Sequence, residues 1–270
     1  MQLLTLTPNT SITTKIVGIL NLTPDSFYDG GRFCNIDTAL KQVEQMIQDG
    51  ADIIDIGGES TRPGHTQISA DEEINRIKPI IKAIRKKYHD FPLSIDTYKA
   101  PVAKVALELR VNMVNDIWGL KYDNDMAGVI AETGVACVLG HNTNIPLPEE
   151  NFISHVKSDL KESVDIALKA GIKKENIILD PGIGFGGKSL NQNLTCIREI
   201  PSLKELGYPI YIGTSNKSFI GLILNAEKQD RLYGTIASNL IAILNGAEYI
   251  RVHDVKAHKD ALDMLSKFTN

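Results

Sequence analysis

Asp96, Asn115 and Asp180 each stand at the end of a short apolar run. A buried carboxylate is costly unless donors match it. Two carboxylates beside an amide therefore suit a ligand with several N–H donors, such as an amino-substituted heterocycle. The alternative is a set of salt bridges or caps. A second group is basic: Arg62, Lys217, Arg251 and His253. Arg251 and His253 lie two apart on one run, so they point to the same side of a strand. An arginine with a histidine beside it can clamp phosphate or pyrophosphate oxygens.

Other residues carry weaker signals. Asn21 follows the apolar run Ile16–Leu20 and offers a hard oxygen. Magnesium is commonly held by one or two such oxygens together with substrate phosphates and water. Asn21 could equally cap a loop, and spacing alone leaves both open. His141 also follows an apolar run, where a lone histidine is more often satisfied structurally. Gly182, Gly184, Gly186 and Gly187 make a glycine-rich stretch without P-loop spacing, read as a turn passing close to a ligand. Ser215–Ser218 opens a helical segment, whose free N–H groups could hold an anion.

The elements that must position these residues recur with one rhythm. Apolar runs of strand length occur at Ile16–Leu20, Ile53–Ile56, Leu93–Ile95, Val111–Val114, Ala136–Leu139, Ile177–Leu179, Ile210–Ile212 and Tyr249–Val252. Between them lie segments of helical periodicity: Ile36–Asp49, Glu72–Tyr88, Pro101–Leu109, Asp125–Thr133, Ile153–Ala170, Leu190–Leu206, Phe219–Leu224 and Arg231–Leu244, with Ala257–Phe268 after the last run. Pro79 should bend or split the second. Strand then helix, eight times, predicts an α/β fold: a (β/α)8 TIM barrel with a short N-terminal extension, Met1–Thr14. One domain over residues 1–270 is expected. In such a barrel the strand ends surround one pocket, where polar residues read as chemistry. Two long connections, Thr23–Phe33 and Glu59–Ile68, read as binding loops at that face.

Composition limits the alternatives. A net charge of -4 argues against broad capture of nucleic acid. Three widely spaced cysteines fit a reducing compartment rather than a disulfide framework. Neither a signal peptide nor a membrane span is expected, so the reading is a cytoplasmic globular protein.

Six segments resemble one family: GILNLTPDSFYDGG (Gly18–Gly31), DIGGESTRPG (Asp55–Gly64), SIDT (Ser94–Thr97), NDI (Asn115–Ile117), DPGIGFG (Asp180–Gly186) and RVHDV (Arg251–Val255). In order and over nearly the whole chain, they resemble dihydropteroate synthase. The resemblance implies a TIM barrel of folate biosynthesis, a sulfonamide target and usually a homodimer. It implies condensation of 6-hydroxymethyl-7,8-dihydropterin diphosphate with p-aminobenzoate to 7,8-dihydropteroate and diphosphate. By that similarity Asp96, Asn115, Asp180 and Lys217 hold the pterin, and Asn21 ligates magnesium at the diphosphate. Thr61, Arg251 and His253 bind the diphosphate. Phe27, Thr61, Arg62, Pro63, Lys217 and Ser218 frame the p-aminobenzoate site. Asp96, Asp180, Lys217, Arg251 and His253 are the catalytic set.

The chain departs from the family pattern at three places. Ser215-Asn216-Lys217 stands where the family usually reads Ser-Arg-Lys, which puts catalytic strength and loop anchoring in question. Gly186-Gly187-Lys188 carries one extra glycine, so no role passes to Lys188. Leu139-Gly140-His141-Asn142 keeps only the histidine of a Met-His-Met. Rival readings are a pterin-binding methyltransferase barrel and a pterin-binding paralogue of weak or no turnover.

Overall fold

The computed structural model describes residues 13–22, 36–60 and 66–269. Strands and helices alternate: β1 (Lys15–Asn21), α1 (Ile36–Gln48), β2 (Ile53–Gly57), α2 (Ala70–Lys87), β3 (Leu93–Asp96), α3 (Ala100–Glu108), β4 (Met113–Asp116) and α4 (Met126–Thr133). There follow β5 (Ala136–Gly140), α5 (Phe152–Ala170), β6 (Ile177–Asp180), α6 (Leu190–Arg198), α7 (Ile200–Lys204), β7 (Tyr211–Ile212), α8 (Ser218–Leu224), α9 (Leu232–Leu244), β8 (Tyr249–Val252) and α10 (Val255–Thr269). The sheet order is β6-β5-β4-β3-β2-β1-β8-β7, and its pairings are parallel. A parallel bridge from Leu179 to Ile210 joins β6 to β7, with the Leu179 N–H donating to the Pro209 carbonyl at 2.9 Å. The eight strands thus close into the expected (β/α)8 barrel.

The two-residue period of the strands divides their side chains between two cores. Ile54, Ile56, Ile95, Val114, Leu139 and Leu179 pack outward, in one cluster with Ile77, Ile80, Ile81 and Ile84 of α2. Each such side chain, fully buried, stabilises the fold by about 1.5–3 kcal/mol relative to exposure. Val17, Ile53, Met113, Val138, Ile178 and Tyr211 form a second, smaller cluster that fills the barrel. The polar residues of the inward-facing series sit on this plug.

Departures from the sequence reading have physical causes at three places. α2 runs unbroken through Pro79, because four buried isoleucines on both sides of it seat the helix on the barrel. The segment 190–206 is two helices, with Glu199 ending one and starting the next. Pro201 explains the break, since it lacks an N–H and disfavours helical geometry at Ile200. β4 starts at Met113 rather than Val111, because Arg110 turns at φ 64 and Val111 N–H still bonds back to Ala106. The expected N-terminal extension falls almost wholly on residues outside those described, as do most of the two long connections.

Candidate active site at the carboxyl ends of the strands

Strand register sets the height of each polar side chain. Asn21 pairs with Gly57, Gly57 with Asp96, and Asp96 with Asn115, so these four share one level. Gly57 contributes no side chain there; a Cβ on it would lie 3.6 Å from Asn21 Oδ1 and 3.7 Å from Asp96 Oδ2. Asp55 stands one inward step deeper on β2, and Asp180 ends β6 opposite Gly140.

Arg251 reaches into this ring from β8. Its Nε donates to Asp55 Oδ2 at 2.6 Å and its Nη2 to Asp96 Oδ2 at 2.6 Å. These bonds engage two of the five N–H donors of a guanidinium. Asn115 Nδ2 also donates to Asp55 Oδ2, at 3.2 Å. The acidic floor and basic rim that the sequence separates are therefore interleaved. Asp55 Oδ1, Asp96 Oδ1, Ser94 Oγ and the Tyr211 hydroxyl are buried and have no hydrogen-bond partner among the described residues. Such acceptors suit a ligand rich in N–H groups.

Burial drives the protonation of this ring. It raises Asp96 to about 7, with Arg251 opposing and Asp55 reinforcing the shift. It raises Asp180 as well, against the Gly182 amide, which donates to Asp180 Oδ1 at 2.8 Å. Burial also works against the Arg251 charge, but Asp55 and Asp96 outweigh it and hold the guanidinium protonated.

Lys217 closes one side of the site. Its Nζ donates to the Ile183 carbonyl at 2.8 Å and lies 3.9 Å from the Phe185 ring centroid. Burial lowers its amine to about 8, although the Asp180 charge pulls the other way. The glycine-rich stretch passes close to the Lys217 side chain here: a Cβ on Gly184 would lie 2.7 Å from its Cδ. Gly182 has φ +70, and a Cβ on it would fall 1.9 Å from the His141 carbonyl oxygen. Lys188, to which sequence gave no role, reaches His141 Nδ1 at 2.9 Å and the Phe185 carbonyl at 3.1 Å. His141 is 1% exposed and pushed down to about 3 by burial and the neighbouring lysines. Its contacts are internal to the protein, Lys188 among them.

His253 follows β8 directly, and its Nδ1 lies 2.8 Å from Ser215 Oγ. The Ser215–Ser218 turn ends on Lys217, the N-cap of α8, and Ser218 is exposed at the first position of that helix. The second long connection is tied down on both sides. Lys99 Nζ donates to Glu59, to the Ile68 carbonyl at 2.8 Å and to Glu73 Oε2 at 2.7 Å, while the Tyr98 hydroxyl donates to Glu59.

Asn21, Asp96, Asn115, Asp180, Lys217, Arg251 and His253 thus gather at one mouth. Phe27, Thr61, Arg62 and Pro63 lie outside the described residues. Sequence reasoning missed Asp55, although a carboxylate inside the apolar run Ile53–Ile56 is itself a signal. It also missed Lys99, Glu59 and Glu73, which no short motif connects.

Comparison with known proteins gives the family and the fold. The model of the pterin binding enzyme family matches residues 17–253. A dihydropteroate synthase of Clostridium beijerinckii is 54% identical, covering 93% of each chain. A solved dihydropteroate synthase structure from Clostridium difficile, obtained with pteroic acid, superposes with a TM-score of 0.91 at 47% identity, covering 96% of this chain and 97% of that one. The Xanthomonas albilineans dihydropteroate synthase with 4-aminobenzoic acid gives a TM-score of 0.89 at 36% identity, covering 94% of this chain and 93% of that one.

Proposed function

The chain belongs to the dihydropteroate synthase family of pterin-binding enzymes, and we propose that its barrel mouth joins a pterin methylene to an aryl amine. The substrates are 6-hydroxymethyl-7,8-dihydropterin diphosphate and p-aminobenzoate; the products are 7,8-dihydropteroate and diphosphate. The observation that carries this reading is the pair of buried acceptors on Asp55 and Asp96, without a partner among the described residues and set beside Asn115 and Asp180. An aminopterin ring presents several N–H donors, and these groups can receive them.

Chemistry at this mouth is positioning and electrostatics. The C–O bond between the pterin methylene and diphosphate breaks, and the electron pair leaves with diphosphate. Positive charge then spreads over the pterin, where the Asp96 and Asp180 carboxyls lie. The neutral amine of p-aminobenzoate forms the new C–N bond and releases its proton to solvent. Arg251 and His253 stand where they can meet diphosphate oxygens, with Thr61 assigned there by similarity. Lys217 and Ser218 border the side assigned to p-aminobenzoate, with Phe27, Arg62 and Pro63.

Magnesium fits this scheme in one way. No cluster of three or more His, Cys, Asp or Glu that could cage a metal exists among the described residues. Asn21 places a hard oxygen at the mouth, level with Asp96. One protein oxygen with substrate phosphates and water is an ordinary magnesium environment. Asn21 would hold the ion, which when bound neutralises charge on the leaving diphosphate.

The assembly we infer is a homodimer. α8 and α9 expose Leu222 at 71%, Ile223 at 52% and Tyr233 at 82%, an apolar surface that a second copy can cover. We place its work in the cytoplasm, on small substrates; separately, no described helix is long and apolar enough to cross a membrane. The reading is tested by complementing a strain that lacks the synthase, alongside an assay of methyl transfer from methyltetrahydrofolate to cobalamin. Growth without methyl transfer supports it. Methyl transfer without dihydropteroate formation contradicts it in favour of a methyltransferase barrel.

A further inference from the structure

Arg231, the N-cap of α9, and Thr235 and Asn239 within it follow one another at four-residue spacing, which places them on one face. All three point at the turn between β7 and α8. Asn239 Oδ1 accepts from Thr214 Oγ1 at 2.7 Å. Thr235 Oγ1 accepts from the Asn216 N–H at 3.2 Å. Arg231 Nη1 donates to the Asn216 carbonyl at 3.1 Å. Thr235 and Asn239 are 0% and 1% exposed, whereas Arg231 and Asn216 are half-buried.

Asn216 needs this support. It sits at φ 57, a left-handed conformation that costs most L-residues about 1–2 kcal/mol and that asparagine tolerates best after glycine. On either side of it stand Ser215, hydrogen-bonded to His253, and Lys217, packed on Phe185. The backbone reversal at Asn216 therefore sets the relation between two site residues. Arg231 is itself fixed: its Nε donates to the Ala226 carbonyl at 3.1 Å. The guanidinium lies so close to α8 that a Cβ on Gly221 would fall 2.4 Å from Nη2.

We propose that Arg231 and Thr235 are positioning residues that clamp both backbone polar groups of Asn216 and so hold Lys217 in the site. The stripe makes no contact with substrate in this account; it acts through the turn. The consequence for catalysis rests on the dihydropteroate synthase reading, but the geometry does not.

The test uses Arg231→Ala and Thr235→Val, with Thr235→Ser as the conservative control that restores the hydroxyl. The Lys217 amine is titrated by NMR with isotopically labelled lysine, and kcat/KM for p-aminobenzoate is measured in parallel. Burial holds this amine at about 8, and the charges acting on it, Asp180, Arg251, Asp96 and Lys188, are unchanged in every variant. In Arg231→Ala and Thr235→Val the titration should move up toward the free lysine value of about 10.4. Thr235→Ser should stay at the wild-type position. A roughly 10- to 100-fold loss of kcat/KM should accompany the shift, as when supporting shells of sites are removed. An unchanged Lys217 titration in Thr235→Val overturns the proposal, even if Arg231→Ala fails to fold. Lower thermal stability with wild-type titration overturns it as well. If the wild type forms no dihydropteroate, the functional reading fails, and the titration still decides the clamp.

Discussion

Arg251 on β8 donates from Nε to Asp55 Oδ2 on β2 at 2.6 Å, joining residues 196 positions apart across the barrel. Asp96 takes a second bond from the same guanidinium at 2.6 Å. Arg251 is therefore part of the barrel's polar floor as well as a candidate diphosphate ligand. Breaking a buried pair leaves an uncompensated charge and costs about 3–5 kcal/mol. Arg251→Ala should lose roughly that much in urea unfolding at neutral pH, with Asp55 and Asp96 left unmatched. A loss below about 1 kcal/mol, as for an exposed pair, would remove the pair from the fold's energetics.

Asp180 should act on the pterin with little effect on folding. Its Oδ1 accepts the Gly182 N–H at 2.8 Å, a bond that an amide oxygen can also accept. Asp180→Asn should therefore unfold near the wild type while binding a pterin ligand about tenfold or more weakly, the effect of losing a charge-assisted hydrogen bond. Calorimetric titration with the pterin substrate checks this. Wild-type affinity would move the pterin away from β6.

Lys217 sets an expectation for pH. Its amine titrates at about 8, so the charged form prevails below that value and the neutral form above it. If the ammonium is the active form, kcat/KM falls as pH rises through about 8. That profile reports ionisations of the free enzyme. Lys217→Arg stays charged and should lack this limb in whatever activity remains. A profile flat to pH 10, near an ordinary lysine, would show that the amine does not carry the step.

Self-association should depend on α8 and α9. Leu222→Glu puts a charge on the exposed apolar surface without touching the barrel, since Leu222 is 71% exposed. Sedimentation should show a dimer for the wild type and a monomer for the variant, with thermal unfolding of the monomer still cooperative. A dimer that survives the charge would place the interface elsewhere.

Much of this was legible in the sequence because a barrel strand obeys a period of two. The ends of the apolar runs at Asp96, Asn115 and Asp180 named the pocket, and the structure extends those strands to include the polar residue itself. Asp55 is less legible because it stands inside an apolar run rather than at its end. The break between α6 and α7 escaped because 190–206 keeps a helical apolar pattern through Pro201. The clamp on Asn216 was beyond reach for a different reason. It joins a turn to a helix through tertiary contacts, and nothing in Ser215-Asn216-Lys217 announces the partner. The two ends of the connection 59–68 are likewise joined by a contact that no short motif shows. Lys99, the N-cap of α3 just after β3, meets Glu59 and the Ile68 carbonyl together.

The most direct measurement is diphosphate release with the two substrates supplied singly and together, with and without magnesium. The account predicts that diphosphate and 7,8-dihydropteroate appear in equal amounts only when pterin diphosphate and p-aminobenzoate are both present, and that magnesium raises the rate. Diphosphate release from the pterin substrate alone at the full rate, or no dihydropteroate with both substrates and magnesium, would contradict it.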